Sequence, residues 1–261
     1  MIGFFRKIRK KLAENNKPMK YMRYAVGEIL LVMIGILLAL QVNNWNEERK
    51  ERQLEFKVLT EIKNNLNFDL VDFESNISHL KNIKTSCQSI LNAVNDDLVY
   101  NDSLGYYFFY LKIFPHFTPK INGYSSLQAK GIEIIQNDSL KFKITNLYED
   151  RYKYILTWER ERINYKDAIL EKMMIPYSGT RSLSKEIVPK SFILKGSIKS
   201  VVELGTFREI KNFEILKEDT EFHGVVKEVE IVTSILILIH ENVQDNVSEL
   251  ANLIEKELEH F

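Results

Sequence analysis

Hydrophobic residues are distributed along this chain in two different ways. From Ala25 to Val42 the sequence reads AVGEILLVMIGILLALQV, apolar apart from Glu28 and Gln41 and unbroken from Ile29 to Leu40. At about 1.5 Å per residue this run is roughly 27 Å long as a helix, enough to cross a thin bilayer core. After Asn46 the apolar positions thin out into a stripe: Leu54, Val58 or Leu59, Ile62, Leu66, Leu70, Phe73, Ile77, Leu80, Ile83, Cys87, Ile90 or Leu91, and Val94. These recur at three- and four-residue steps with no Pro or Gly between them. The spacing predicts one helix of roughly fifty residues leaving the membrane without a break. The stripe suits a coiled coil with another copy and folding back against later helices equally well.

Further elements follow from turn and helix signals. Asp96, Asp97, Asn101 and Asp102 mark a turn. They lack the Gly and terminal Glu of an EF-hand loop, so they read as helix ending and capping. Leu104 to Phe114, LGYYFFYLKIF, predicts a short aromatic helix stopped by Pro115 and Pro119. A short helix is expected over Ser125 to Ile135. Asp138 or Ser139 is then expected to cap a long helix reaching about Met174, through Ile144, Leu147 or Tyr148, Ile155, Trp158, Arg162, Ala168 or Ile169 and Met173. Pro176 to Pro189 reads as a loop. A last helix is expected from Asp219 or Thr220 to about His260; its middle, IVTSILILI from Ile231 to Ile239, is too short to span and is expected in a core. Ile134-Ile135-x-x-Asp138-Ser139 and Ile215-Leu216-x-x-Asp219-Thr220 echo each other, which fits two short-helix/long-helix units and fits chance almost as well.

The fold class expected is therefore all-α: one N-terminal transmembrane helix continuing into a long-helix antiparallel bundle outside the cytoplasm. The divisions are a basic amphipathic tail over 1–23, a transmembrane signal anchor over 24–43 and a helical bundle over 44–261.

Charge orients this arrangement. Lys+Arg and Asp+Glu are equal at 36 each, and that balance suggests no nucleic-acid partner. Residues 1–23 are asymmetric, with eight basic side chains against Glu14 alone. A basic tail directly before an apolar run suits anionic membrane lipid. MIGFFRKIRKKL places Met1, Phe4 or Phe5, Ile8 and Leu12 on one stripe, suited to a helix lying in the headgroups. Arg23 and Trp45 bracket the run as interfacial anchors. Ala39 stands isolated among large side chains, so no signal-peptidase site is expected. The positive-inside rule puts the N-terminus in the cytoplasm and everything after residue 43 outside it.

Glu28 is the unusual residue of the span. Near the end of a span, beside Lys20 and Arg23 and in the first turn, a carboxylate is tolerable as an interfacial group. It also shares a face with Gly35 and Ala39, a small-xxx-small pair that permits close approach of a second helix. A proton-carrying role is a third reading. All three remain open on sequence alone.

Candidate chemistry is sparse. Cys87 is the only cysteine, so no intrachain disulfide or thiolate metal site can form, and its place on the apolar stripe reads as a buried thiol. The five histidines, His79, His116, His223, His240 and His260, form no HExxH or close ligand pair. Neither a P-loop nor G-x-S-x-G nor G-x-G-x-x-G is present. No catalytic residue, cofactor or metal is assigned, and an enzyme is not expected.

The combination of MIGFFRKIRKKL with YAVGEILLVMIGILLALQVNNWNEERK resembles a group of uncharacterised single-span membrane proteins of flavobacteria and other Bacteroidetes. The matching positions are Gly27, Glu28, Ile29, Gly35, Ile36, Ala39, Leu40, Gln41, Asn43, Asn44, Trp45, Asn46 and Glu47. Gly123 to Leu140, GYSSLQAKGIEIIQNDSL, is similar to the group's second recognisable stretch. The resemblance implies a bacterial inner-membrane protein and no particular activity. The function expected is structural or interaction-based, with membrane lipid and either a second copy or another membrane protein as partners. The alternative is a periplasmic sensory or ligand-binding module that signals through a partner, since a tail of this length holds no output domain.

Overall fold

The computed structural model describes residues 18–179, 181–182, 206–207 and 210–261. The MIGFFRKIRKKL stripe and most of the Pro176–Pro189 loop lie outside these residues. Helix α1 runs without interruption from Pro18 to Asn95. Proline suits a first helical position because its missing N–H would have had no partner there. At the other end Asp97 takes a left-handed φ of 51°. Its N–H donates to Val94 O (3.2 Å) and the Leu98 N–H to Ala93 O (2.9 Å). Those two bonds satisfy carbonyls the helix leaves open, in the manner of a Schellman motif. The acidic turn expected at this point is thus a helix ending.

By compactness the chain divides inside α1, between Lys57 and Val58. Before the division α1 carries a stretch long and apolar enough to cross a membrane, none of it buried by the protein.

After the division most of the described residues are helical. The described elements are α2 (Asp102–Tyr110), α3 (Asn122–Lys130), α4 (Asp138–Asn146), α5 (Tyr152–Tyr165), α6 (Glu171–Met174), α7 (Phe213–Glu218) and α8 (Thr220–Leu258). Helices α4, α5 and α6 form one continuous rod, joined by π turns at Leu147–Arg151 and Lys166–Leu170. A two-residue antiparallel pairing of Arg181–Ser182 with Thr206–Phe207 is the exception to the all-helical expectation.

Three boundaries differ from expectation. Helix α2 stops at Tyr110, well before Pro115, because its last carbonyls turn to closer partners: Lys112 N–H bonds Phe109 O and Ile113 N–H bonds Tyr110 O. Helix α3 does not reach Ile135. Gly131 takes a φ of 96°, a conformation open to glycine, and a 3-10 turn follows at Ile132–Ile134. The cap of α4 is Asn137 rather than Asp138 or Ser139, its side chain accepting the Leu140 N–H at 3.2 Å. The cap of α8 is Asp219, which accepts the Phe222 N–H at 3.0 Å. The sequence echo therefore does not extend to the caps.

The stripe on α1 is buried by later helices of the same chain. Leu59, Ile62, Leu66 and Phe73 enter one core with Leu127, Ile144, Ile155, Val247 and Ile254. Leu80, Ile83, Cys87 and Ile90 enter a second with Phe108, Leu111, Leu170, Leu216, Phe222 and Val226. Cys87 is fully buried, and burial pushes its thiol up to about 12. Cross-links between helices give the direction of packing. Lys63 bonds Glu255, Lys81 bonds Glu241 and Gln88 bonds Glu230, so α8 descends as α1 ascends. Asn137 with Glu257 and Lys143 with Glu249 set α4 antiparallel to α8 in the same way.

Candidate functional site

Two places bring polar chemistry into an apolar setting: the face of α1 that carries Glu28, and a buried layer between the two cores.

On α1, successive residues turn by about 100°, so Glu28, Gly35 and Ala39 fall within an arc of roughly 40°. Gly35 and Ala39 are exposed, and nothing lies within 4 Å of where a Cβ on Gly35 would stand. Glu28 is half-buried. Large apolar side chains cover the remaining circumference, with Ile29, Leu31, Ile34, Leu38 and Leu40 all exposed. The Ala39 end of the face opens into a shallow groove of about 400 Å³ walled by Val42, Asn43, Trp45, Asn46 and Arg49, with Arg49 donating to Asn46 Oδ1 at 3.3 Å. Trp45 is exposed there. Arg23 lies on the α1 backbone, and its side chain is outside the described residues.

The buried layer was not assigned from the sequence. The connection between α2 and α3 is irregular after an opening turn, and Pro119 contributes no N–H to it. From Phe117 to Lys120 each described backbone donor bond ends on a carboxylate. Glu159 takes the Phe117 N–H on both oxygens (3.0 and 3.1 Å), Asp72 takes Thr118 N–H (3.0 Å) and Asp69 takes Lys120 N–H (2.9 Å). Asp69 also accepts the Tyr152 hydroxyl at 2.7 Å. It is fully buried, and burial raises its carboxyl from 3.8 to about 6 against the opposing pull of those two bonds. The same carboxylate helps hold the Tyr152 phenol far above its ordinary range, after burial itself.

Glu159 faces α8 as well. His240 Nε2 stands 3.0 Å from Glu159 Oε1, too oblique for a hydrogen bond, while His240 Nδ1 lies 2.8 Å from Leu236 O. A carbonyl only accepts, so Nδ1 carries a proton. One turn along α5, Arg162 Nη2 donates to Thr233 Oγ1 at 3.3 Å, and its guanidinium lies 4.9 Å from the centre of the Phe114 ring. Burial lowers this guanidinium to about 10. Phe73 stacks on Phe117 at 4.2 Å and meets the His240 ring edge-on at 5.8 Å, which walls the layer from below. Asp69, Glu159, Arg162 and His240 are all buried, and their hydrogen bonds go to backbone groups and to the Tyr152 and Thr233 hydroxyls. Among the described residues no three His, Cys, Asp or Glu side chains converge as metal ligands.

A signal for this layer was present in the sequence. Asp69, Glu159, Arg162 and His240 each fall at the three- or four-residue spacing of a core stripe, beside Leu66 and Phe73, Ile155, and Ile237 and Val243. A polar residue at a core position is one that needs an internal partner. The Glu28–Gly35–Ala39 face, by contrast, was read from the sequence, and of its residues Gly35 and Ala39 are exposed.

No curated protein and no solved structure matches this chain. Residues 28–174 match a family of unknown function, DUF6090. The match begins at Glu28 and takes in the GYSSLQAKGIEIIQNDSL stretch and both π turns. With more than half of its length covered, the protein belongs to that family.

Proposed function

We propose that this protein is a single-span anchor of a bacterial inner membrane of the Bacteroidetes type. Its N-terminus is cytoplasmic, its helical bundle is periplasmic, and its work is contact rather than catalysis. The observation that carries the reading is the unburied apolar segment of α1. Water would charge such a surface roughly 25 cal/mol for each Å² of apolar area, whereas lipid does not. Basic residues before the segment and Trp45 after it give the direction.

Within the span, Glu28, Gly35 and Ala39 form the contact face. Two copies, or a copy and another membrane protein, approach closely where side chains are small, and Glu28 lies near enough to the interface to keep water or a cation. The buried layer supports a structural role for the bundle, since its acids are spent on backbone donors. A sensory module signalling through a partner is the alternative; the grooves at Ala39–Arg49, Glu149–Glu161 and Phe142–Leu250 are shallow and open to solvent, which favours contact.

The test is the mass and composition of the complex drawn from its native membrane in mild detergent, for the wild type and for Gly35→Leu. A homo-oligomer, or a stoichiometric complex with another membrane protein, is expected to fall apart in the variant. Wild type and variant running alike would remove the packing role, and a monomeric wild type would turn the reading toward the ligand-binding module.

A further inference from the structure

The outward face of α5 combines aromatic rings with an uncommitted acid. Tyr154 is 51% exposed, and its ring meets that of Trp158, one turn on, edge to face with centroids 6.3 Å apart. Trp158 is held from beneath by packing on the second core. The two rings stand over a shallow groove of about 350 Å³ whose charged walls are Glu149, Asp150, Lys153 and Glu161.

The charges of this groove are unevenly matched. Lys153 is bound to Glu149, which also accepts from Tyr124 Oη (3.0 Å) and Gln128 Nε2 (3.1 Å). Asp150 has Arg151 Nε at 3.7 Å, beyond hydrogen-bond reach. Glu161 makes no hydrogen bond or ion pair among the described residues. Tyr154, Trp158 and Glu161 follow one another at four- and three-residue steps, so a ring, a ring and a carboxylate share one helix face.

That set selects its occupant. Aromatic faces attract ammonium and guanidinium groups, and a neighbouring carboxylate adds a charge-assisted hydrogen bond. A purely apolar partner would desolvate Glu161 and Asp150 without pairing them, at a cost that cancels the burial of the rings. Phosphate-bearing lipid and nucleic acid meet three acids against one lysine in the groove walls. Tyr and Trp fixed on a rigid helix are the residues that dominate protein–protein contacts, because little side-chain freedom is lost on binding.

We propose that the Tyr154–Trp158–Glu161 face of α5 is a docking surface for a Lys- or Arg-bearing segment of a partner protein. The proposal rests on the contact reading above and names where, outside the span, contact is made and with what chemistry.

The chain has two tryptophans, Trp45 and Trp158. A Trp45→Phe protein therefore reports on this groove alone by fluorescence. The full chain, carried in nanodiscs of neutral lipid, is titrated with a soluble helical peptide of alanine and arginine and with its alanine–glutamate counterpart. A saturable change in Trp158 emission is expected with the arginine peptide only. Glu161→Lys and Tyr154→Ala, both at exposed positions and each checked for folding by circular dichroism, are expected to weaken it about tenfold each. An unchanged emission, an equal response to the glutamate peptide, or an unaltered affinity in Glu161→Lys would overturn the proposal. So would a photo-crosslinker at position 154 that joins two copies of this chain. The titration is read on isolated molecules, so its failure leaves the contact role of the span standing. Gly35→Leu, which tests that role, leaves the titration unchanged.

Discussion

The two halves of α1 obey different rules although one unbroken backbone carries both. Over Ala25–Val42 apolar side chains surround the whole circumference and none is buried by the protein. Over Val58–Ile90 most of them lie on a stripe that is almost completely buried, while Phe68 and Val71 face outward with Glu61, Asn64, Glu74 and Ser78. The helical geometry is common to both; the surroundings differ. A helix in lipid needs an apolar surface in every direction and gains little from burying more of it, whereas a helix in water is held only where its stripe meets another. The same substitution should therefore have opposite consequences in the two halves.

The sharpest test of that contrast is a truncation made once in each half. Phe73 is fully buried and stacked on Phe117, so Phe73→Ala is expected to cost about 3–5 kcal/mol by loss of transfer energy and creation of a cavity. Leu38 is 62% exposed, and Leu38→Ala should leave unfolding of the Val58–Phe261 unit unmoved. Denaturant unfolding of the full chain in micelles, followed by circular dichroism, reads both. Equal losses would break the comparison.

Next in size is a charge effect that belongs to the Val58–Ile90 half. The folded carboxyl of Asp69 titrates near 6 against an ordinary 3.8. Below about pH 4 it is protonated folded or unfolded. As pH rises the unfolded chain ionises first, the folded state holds the extra proton, and stability falls until the folded group has ionised above about pH 6. A shift of this size corresponds to about 3 kcal/mol lost between those limits, to order of magnitude. Asp69→Asn is expected to flatten that part of the stability–pH curve. A slope that survives the substitution would assign it to other groups.

Two glycines give a smaller but cleaner pair. A Cβ on Gly123 would stand 2.7 Å from Ile62 N and 2.9 Å from Ile62 Cγ1, so α3 can lie on α1 only without a side chain there. Gly123→Ala is expected to cost about 1–3 kcal/mol by overpacking. Gly35 has nothing within 4 Å, and Gly35→Ala should leave the unfolding curve where it is. A destabilised Gly35→Ala protein would mean that the span is packed by the chain itself.

Legibility followed the same division. The length of α1, its two surface patterns and the start of α8 were readable because apolar period is a direct record of what surrounds a helix. The π turns were not, since Leu147–Arg151 and Lys166–Leu170 carry no Gly or Pro to mark them. The carboxylates on Phe117, Thr118 and Lys120 were not, since each comes from an element far away in sequence. Arg162 was counted in an apolar stripe and passed over, though a charge at a core position was itself the clue. The Glu28–Gly35–Ala39 face was legible as a pattern only: its residues share one side of α1, and Gly35 and Ala39 are exposed.

The smallest effect tests how finely a boundary can be read. Asn137 and Asp138 are neighbours, both good caps by composition, and the sequence favoured Asp138 or Ser139. In the structure Asn137 accepts the Leu140 N–H and donates to Glu257 Oε2 at 2.8 Å, tying the start of α4 to the end of α8. Asp138 is the first helical residue, its side chain 92% exposed and reaching Lys141 at 3.1 Å. Asn137→Ala should therefore cost about 1 kcal/mol, the usual worth of a cap. Asp138→Ala should cost only the few tenths typical of an exposed pair and a first-turn acid. Reversed magnitudes in the same denaturant series would move the cap one residue along, and with it the register in which α4 meets α8.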